Sequence, residues 1–132
     1  MYGQHANVIK RTTEAYREGV CRMRIHIAIE HRTELVEQLR KLGAEHITME
    51  VPEIPANYVI SSDIAKKTEI LFCEIPPQNI GEMERLKLVQ VSSTGYSQLF
   101  DLGLSERGVR ACNGRGEFDC PIACLLYTSR CV

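Results

Sequence analysis

Leu86-Lys87-Leu88-Val89-Gln90-Val91-Ser92-Ser93-Thr94-Gly95-Tyr96-Ser97 is the stretch on which the reading of this chain turns. An apolar run rich in leucine and valine reads as a strand, and it empties into small polar residues and a glycine. A buried strand that ends this way is how many α/β proteins present backbone amides to a ligand. The residues after Tyr96 are expected to open a helix.

Working toward the carboxyl end, Asp101 is placed to cap a helix over Leu102-Gly103-Leu104-Ser105-Glu106-Arg107 that Gly108 closes. Val109 to Asn113 then supplies a last short strand. In the other direction, a helical turn around Ile80 to Leu86 precedes the opening stretch. Before it, Glu69 to Ile75 is a strand nearly all apolar in its middle, hence expected to be covered on both faces and ended by Pro76 and Pro77. Residues 53–67 read as a loop followed by a short helix. His46 to Val51 places Ile47, Met49 and Val51 on one side and Thr48 and Glu50 on the other, the pattern of an edge strand that Pro52 stops. Thr33 is placed to cap a helix carrying Leu35, Val36, Leu39 and Leu42, with Glu34 in its first turn, Arg40 and Lys41 in its last and Gly43 beyond. Met23 to Ile29, rich in β-branched residues, is the first strand.

Strands alternating with helices, at connections too long for hairpins, predict a flavodoxin-like (Rossmann-like) α/β fold: five parallel strands with helices on both faces. The first 22 residues read as an extension, residues 23–123 as the domain, and residues 124–132 as a tail.

A length of 132 residues suits one core, and 44 % hydrophobic with 25 % charged residues is an ordinary globular composition. Sixteen basic against seventeen acidic residues leave no basic stripe, so neither nucleic acid nor an anionic membrane is an expected partner. The amino terminus lacks the basic start and apolar core of a secretory signal, and no apolar run reaches spanning length, so the expectation is a cytoplasmic protein. Of the six cysteines no two form a C-x-x-C pair, which argues against metal, and the cytoplasm argues against disulfides. Cys73 and Cys112, beside apolar neighbours, read as small buried hydrophobes.

At the carboxyl ends of such a sheet, the amides of Thr94, Gly95 and Tyr96 are candidates to hold a carboxylate or phosphate; the alternative is that Gly95 makes a tight strand-to-helix turn. The second candidate, Asn113-Gly114-Arg115-Gly116, has a G-x-G but lacks the third glycine and the opening helix of a dinucleotide loop, so a plain surface loop competes with it. His26 lies in a strand, His46 on an exposed strand face and His5 in the extension. Only His31 sits at the end of a strand, and it has no identifiable catalytic partner.

Taken in order, Leu86 to Gln90, Ser93-Thr94-Gly95-Tyr96, Arg107-Gly108-Val109-Arg110-Ala111-Cys112-Asn113, Arg115-Gly116 and Pro121-Ile122-Ala123 resemble the amino-terminal, substrate-binding domain of the D-isomer-specific 2-hydroxyacid dehydrogenases. The match in order and spacing runs from Glu69 to Ala123; from Met23 to Lys67 only the architecture agrees. The resemblance implies two α/β domains around a cleft, with a substrate carboxylate held by the loop of Ser93, Thr94 and Gly95 and with Asn113 near the cleft. It also implies NAD or NADP as the cofactor of a full-length parent, none of it bound by this part, and a homodimeric parent. A 2-hydroxy or 2-oxo acid would be the small-molecule partner, and the missing nicotinamide-binding domain the other. The aspartate often found two residues after the glycine is Ser97 here.

After Ala123 the family continues with a glutamate and a long helix, whereas this chain reads Cys124 to Val132 and resembles a shifted frame or appended sequence. The family's arginine, glutamate and histidine lie beyond that point. No catalytic residue is therefore expected in this part, which should be inactive alone and expose apolar surface. The competing reading is a stand-alone α/β binding or regulatory module, similar to response-regulator receivers in element order. Glu30 and Glu74 are the only carboxylates at its key strand ends, and no aspartate nucleophile accompanies them.

Overall fold

The computed structural model describes residues 23–31, 33–44 and 46–129. The expectations for the extension of residues 1–22, His5 included, and for the last three residues fall outside them. Five strands, β1 (Arg24–Ala28), β2 (His46–Met49), β3 (Ile70–Cys73), β4 (Leu88–Val91) and β5 (Arg110–Cys112), form one parallel sheet in the order β2-β1-β3-β4-β5. Among the described residues three α-helices accompany it, α1 (Thr33–Lys41), α2 (Ser62–Ala65) and α3 (Asp119–Ser129), with 3-10 turns at Ile80–Glu82 and Ser97–Leu99. This is the predicted α/β fold, in the doubly wound order whose switch point lies between β1 and β3.

The strand period of two sorts the side chains between two cores. On one face Ala28, Leu71, Cys73, Val89 and Val91 pack under Ile60, Ala65, Ile80, Met83 and Leu86. On the other, Ile25 and Ile27 pack with Val36 and Ala44, flanked by the half-buried Leu39, Ile70 and Phe72. β3 is fully buried on one face, at Leu71 and Cys73, and only half-buried on the other, at Ile70 and Phe72, so the cover expected on both faces is complete on one; β2 is an edge strand, as its polar alternation implies.

Several local expectations are corrected. The helix expected over 102–107 is a set of turns: Gly103 lies at φ 62° and Asp101, expected as its cap, at φ 59°, both left-handed. Six residues with a glycine inside cannot repay helix nucleation. For the same reason only a 3-10 turn follows Tyr96. A helix does follow Gly116, where none was expected: α3, with Pro121 tolerated in its first turn, runs unbroken through residues 123 and 124. Thr33 is the first residue of α1, one place inside its expected capping position. Leu35 of α1 and Leu42 just beyond its end stay exposed, because two and a half turns bring only Val36 and Leu39 onto the sheet. Cys112 is exposed, because β5 is the far edge strand and none of its residues is covered; Cys73, in the central strand, is fully buried as expected. Ile122, Leu125, Leu126 and Tyr127 of α3 are all exposed.

His26 is fully buried in β1. The Thr48 hydroxyl donates to the Ile25 carbonyl oxygen at 3.4 Å, so its oxygen is left to accept from His26 Nδ1 at 2.8 Å. The neutral tautomer follows, with Nε2 a buried acceptor that has no partner. Burial holds the imidazole below its ordinary value of 6.5, against a smaller opposing pull from Glu50. A folded pKa below the unfolded one means that the unfolded chain binds more protons; stability is fully present above pH 6.5 and lost as pH falls toward the lowered value. We expect the urea midpoint to drop between pH 7.5 and 5.5 and this drop to flatten in His26→Gln. Equal slopes in both proteins would refute the assignment.

Candidate functional site

Because every strand pair is in register, the carboxyl ends of β3, β4 and β5 lie along one edge, and the segments after them meet there. Ser92 N–H donates to the Cys73 carbonyl at 3.0 Å, carrying the β3–β4 ladder one residue beyond β4. From Ser93 onward the backbone is held from β5 and from its own loop. Gly114 N–H donates to the Ser93 carbonyl at 2.8 Å, and Asn113 Nδ2 donates to the Thr94 carbonyl at 2.7 Å. The Gly95 carbonyl accepts from Ser93 Oγ at 2.9 Å and from Gln98 Nε2 at 3.4 Å.

Three consecutive carbonyls are thus taken by fixed donors. No peptide bond described is cis, and in a trans unit the N–H points opposite to the C=O. The amides of Thr94, Gly95 and Tyr96 therefore turn away from those donors. Among the described residues none of the three amides has an acceptor. Successive unpaired amides on an exposed loop are donors that an anion can meet, and they add no titrating group of their own.

Gly95 sharpens this. Its φ is not left-handed, and a Cβ built on it would meet nothing within 4 Å, so neither backbone conformation nor internal packing requires glycine there. A methyl there would stand in open space on the same exposed loop that carries the three amides. Gly114 is the opposite case: a Cβ there would stand 2.8 Å from the Ser92 carbonyl oxygen, so this glycine lets β5 close on the β4 loop.

The predicted Ser93, Thr94, Gly95 and Asn113 are accordingly brought together, Asn113 reaching the loop through a 19-residue separation. Asn113, Ser92 and Gly114 also line an open concavity of about 510 Å³ with Phe72, Gln90, Glu117 and Phe118, from which Thr94 and Gly95 stand apart. Gln98 was missed by sequence reasoning; a polar residue in an expected helix gives no hint of its bonds. His31 is half-buried with Nδ1 3.2 Å from the Ile29 carbonyl oxygen, a local contact away from this loop.

No nucleophile stands out near the strand ends. Burial pushes the Cys73 thiol up to about 12, keeping it protonated, and burial likewise raises the Tyr58 phenol, which donates to the Ile75 carbonyl at 2.9 Å. Among the described residues no three His, Cys, Asp or Glu side chains gather as metal ligands, and no helix is long and apolar enough to cross a membrane. The Gly114–Gly116 loop does not fit a dinucleotide's phosphates. Gly114 is packed against Ser92, and α3, which follows, begins on the carboxylate of Asp119.

No family model and no curated protein matches the chain. Among solved structures it is similar to phosphoglycerate dehydrogenase from Lactobacillus plantarum, with a TM-score of 0.52 and 19 % identity, over 80 % of this chain and 35 % of that one. At that identity the likeness is one of fold, and the chain spans about a third of that structure's length.

Proposed function

We propose that this chain contributes the carboxylate-binding part of an oxidoreductase that moves a hydride between NAD or NADP and C2 of a 2-hydroxy or 2-oxo acid. The observation that carries the reading is the loop Ser93–Tyr96, whose carbonyls are tied down by Gly114, Asn113, Ser93 and Gln98 while three successive amides remain open. Fixed backbone donors suit a carboxylate because they are oriented before it arrives and gain strength as a cleft closes and dries. The ordered resemblance from Glu69 to Ala123 supports the substrate class, and the fold it shares with a dehydrogenase supports the reaction class.

On this reading hydride and proton exchange belong to a second, nicotinamide-binding domain of the parent protein, since the loop at Gly114 and Gly116 lacks the third glycine of a dinucleotide loop. The work of Thr94, Gly95 and Tyr96 is to hold the carboxylate, and so to set the position of C2 against that domain.

Titrating the chain with D-lactate, glycolate and glyoxylate is expected to move the amide resonances of Thr94, Gly95 and Tyr96, and lactate methyl ester to leave them in place. Gly95→Ala tests the same point without disturbing the fold. It should unfold within about 0.5 kcal/mol of the parent, since its site is open and unstrained, yet weaken carboxylate binding by about tenfold or more. Resonances that ignore every acid, or an alanine variant that binds as well as the parent, would sink the reading.

A further inference from the structure

We propose that Gln98 is the positioning residue of this loop: its carboxamide, directly and through Ser93 Oγ, holds the Gly95 carbonyl and so fixes the direction of the Tyr96 amide. The inference rests on the carboxylate reading for its purpose, though not for its geometry. Gln98 is half-buried in the Ser97–Leu99 turn, and its Nε2 reaches three acceptors: Ser93 Oγ at 2.7 Å, the Glu74 carbonyl at 3.2 Å and the Gly95 carbonyl at 3.4 Å. The Ser93 hydroxyl, having donated its proton to the Gly95 carbonyl at 2.9 Å, meets Gln98 as an acceptor. One side chain thereby ties the segment leaving β3 to the loop leaving β4, across the edge where their strands end.

The three loop peptides are not held alike. Gly114 holds the first through a backbone bond, and Asn113 holds the second through a 2.7 Å side-chain bond. The third depends on Ser93 Oγ and Gln98, and the hydroxyl's direction itself depends on Gln98 filling its lone pair. Without Gln98 the Gly95–Tyr96 unit is free to turn over. A turned peptide replaces a donor with a carbonyl oxygen, which repels the anion that the amide attracted.

The test uses the full chain, with backbone amide resonances read in the parent, in Gln98→Met and in Gln98→Glu. Methionine keeps the length and loses the donors. Without ligand, it should move the Gly95 and Tyr96 resonances while those of β1 and β3 stay in place, and it should weaken D-lactate binding by about tenfold. The glutamate variant carries the discriminating readout. As a carboxylate it faces three acceptors and should displace the same resonances; once protonated it donates, so the resonances should return toward the parent's positions as pH falls through the carboxyl range. A mere packing role would show no such return. Gly95 and Tyr96 resonances unchanged in Gln98→Met would overturn the proposal whatever the parent binds. Displaced resonances with pH-dependent recovery, in a chain that ignores D-lactate, would uphold the positioning role and reject the carboxylate reading alone.

Discussion

Leu71→Ala is expected to cost about 2–5 kcal/mol, the range for a leucine removed from a fully packed interior. Leu71 is completely buried in β3, the middle strand of the sheet, and its neighbours on the same face are Cys73, Val89 and Val91 under Ile60, Ala65, Ile80 and Met83. Those neighbours come from separate strands and turns, so the cavity cannot close by moving one side chain. Native domains are stable by only about 5–15 kcal/mol, so this loss consumes a large share of the total. The apolar residues of α3 offer no reserve, because Ile122, Leu125, Leu126 and Tyr127 face solvent. The urea midpoint of the variant against the parent measures the effect. A difference below about 1 kcal/mol would mean that this face is not the main core.

Gly114→Ala is expected to be the most damaging conservative change outside the core, at about 1–3 kcal/mol, and to act on the loop as well as on stability. The added methyl would stand 2.8 Å from the Ser92 carbonyl oxygen and 3.4 Å from that of Ser93. Those atoms are backbone at the end of β4, so no rotamer change relieves the contact. Either β5 or the β4 loop must move, and the Gly114 N–H bond to the Ser93 carbonyl at 2.8 Å goes with it. The Thr94 amide, on the peptide which that bond orients, should then shift in the resonance spectrum. Urea unfolding with the same amide spectrum gives both halves of the result. A variant as stable as the parent, with Thr94 unmoved, would show that the two loops do not need this approach. Set beside Gly95→Ala, the pair separates environments that two glycines in one sequence do not reveal: one is packed against a neighbouring loop, the other faces open space.

The acid sensitivity expected from His26 was not legible in the sequence. A histidine inside Ile25-His26-Ile27 reads as one polar residue in a strand, and its fate depends on which face another element covers. Thr48 meets it only because β2 pairs with β1 in the register His26↔Thr48. Cys112 is misread for the same reason: Val109 nearby is buried, but β5 ends the sheet and leaves Ala111 and Cys112 uncovered.

By itself the sequence determined the succession of five strands, the parallel α/β class and the place where a loop rich in small residues leaves β4. These follow from periodicity and from residues that start or stop elements, which act within a few positions along the chain. The pairing order, the unpaired acceptor on His26 and the bonds from Asn113 to Thr94, from Gly114 to Ser93 and from Gln98 to Glu74 were decided by the tertiary structure. Each is a contact between segments distant in sequence or a choice imposed by packing, and a local pattern carries no information about the partner that distance in the chain conceals.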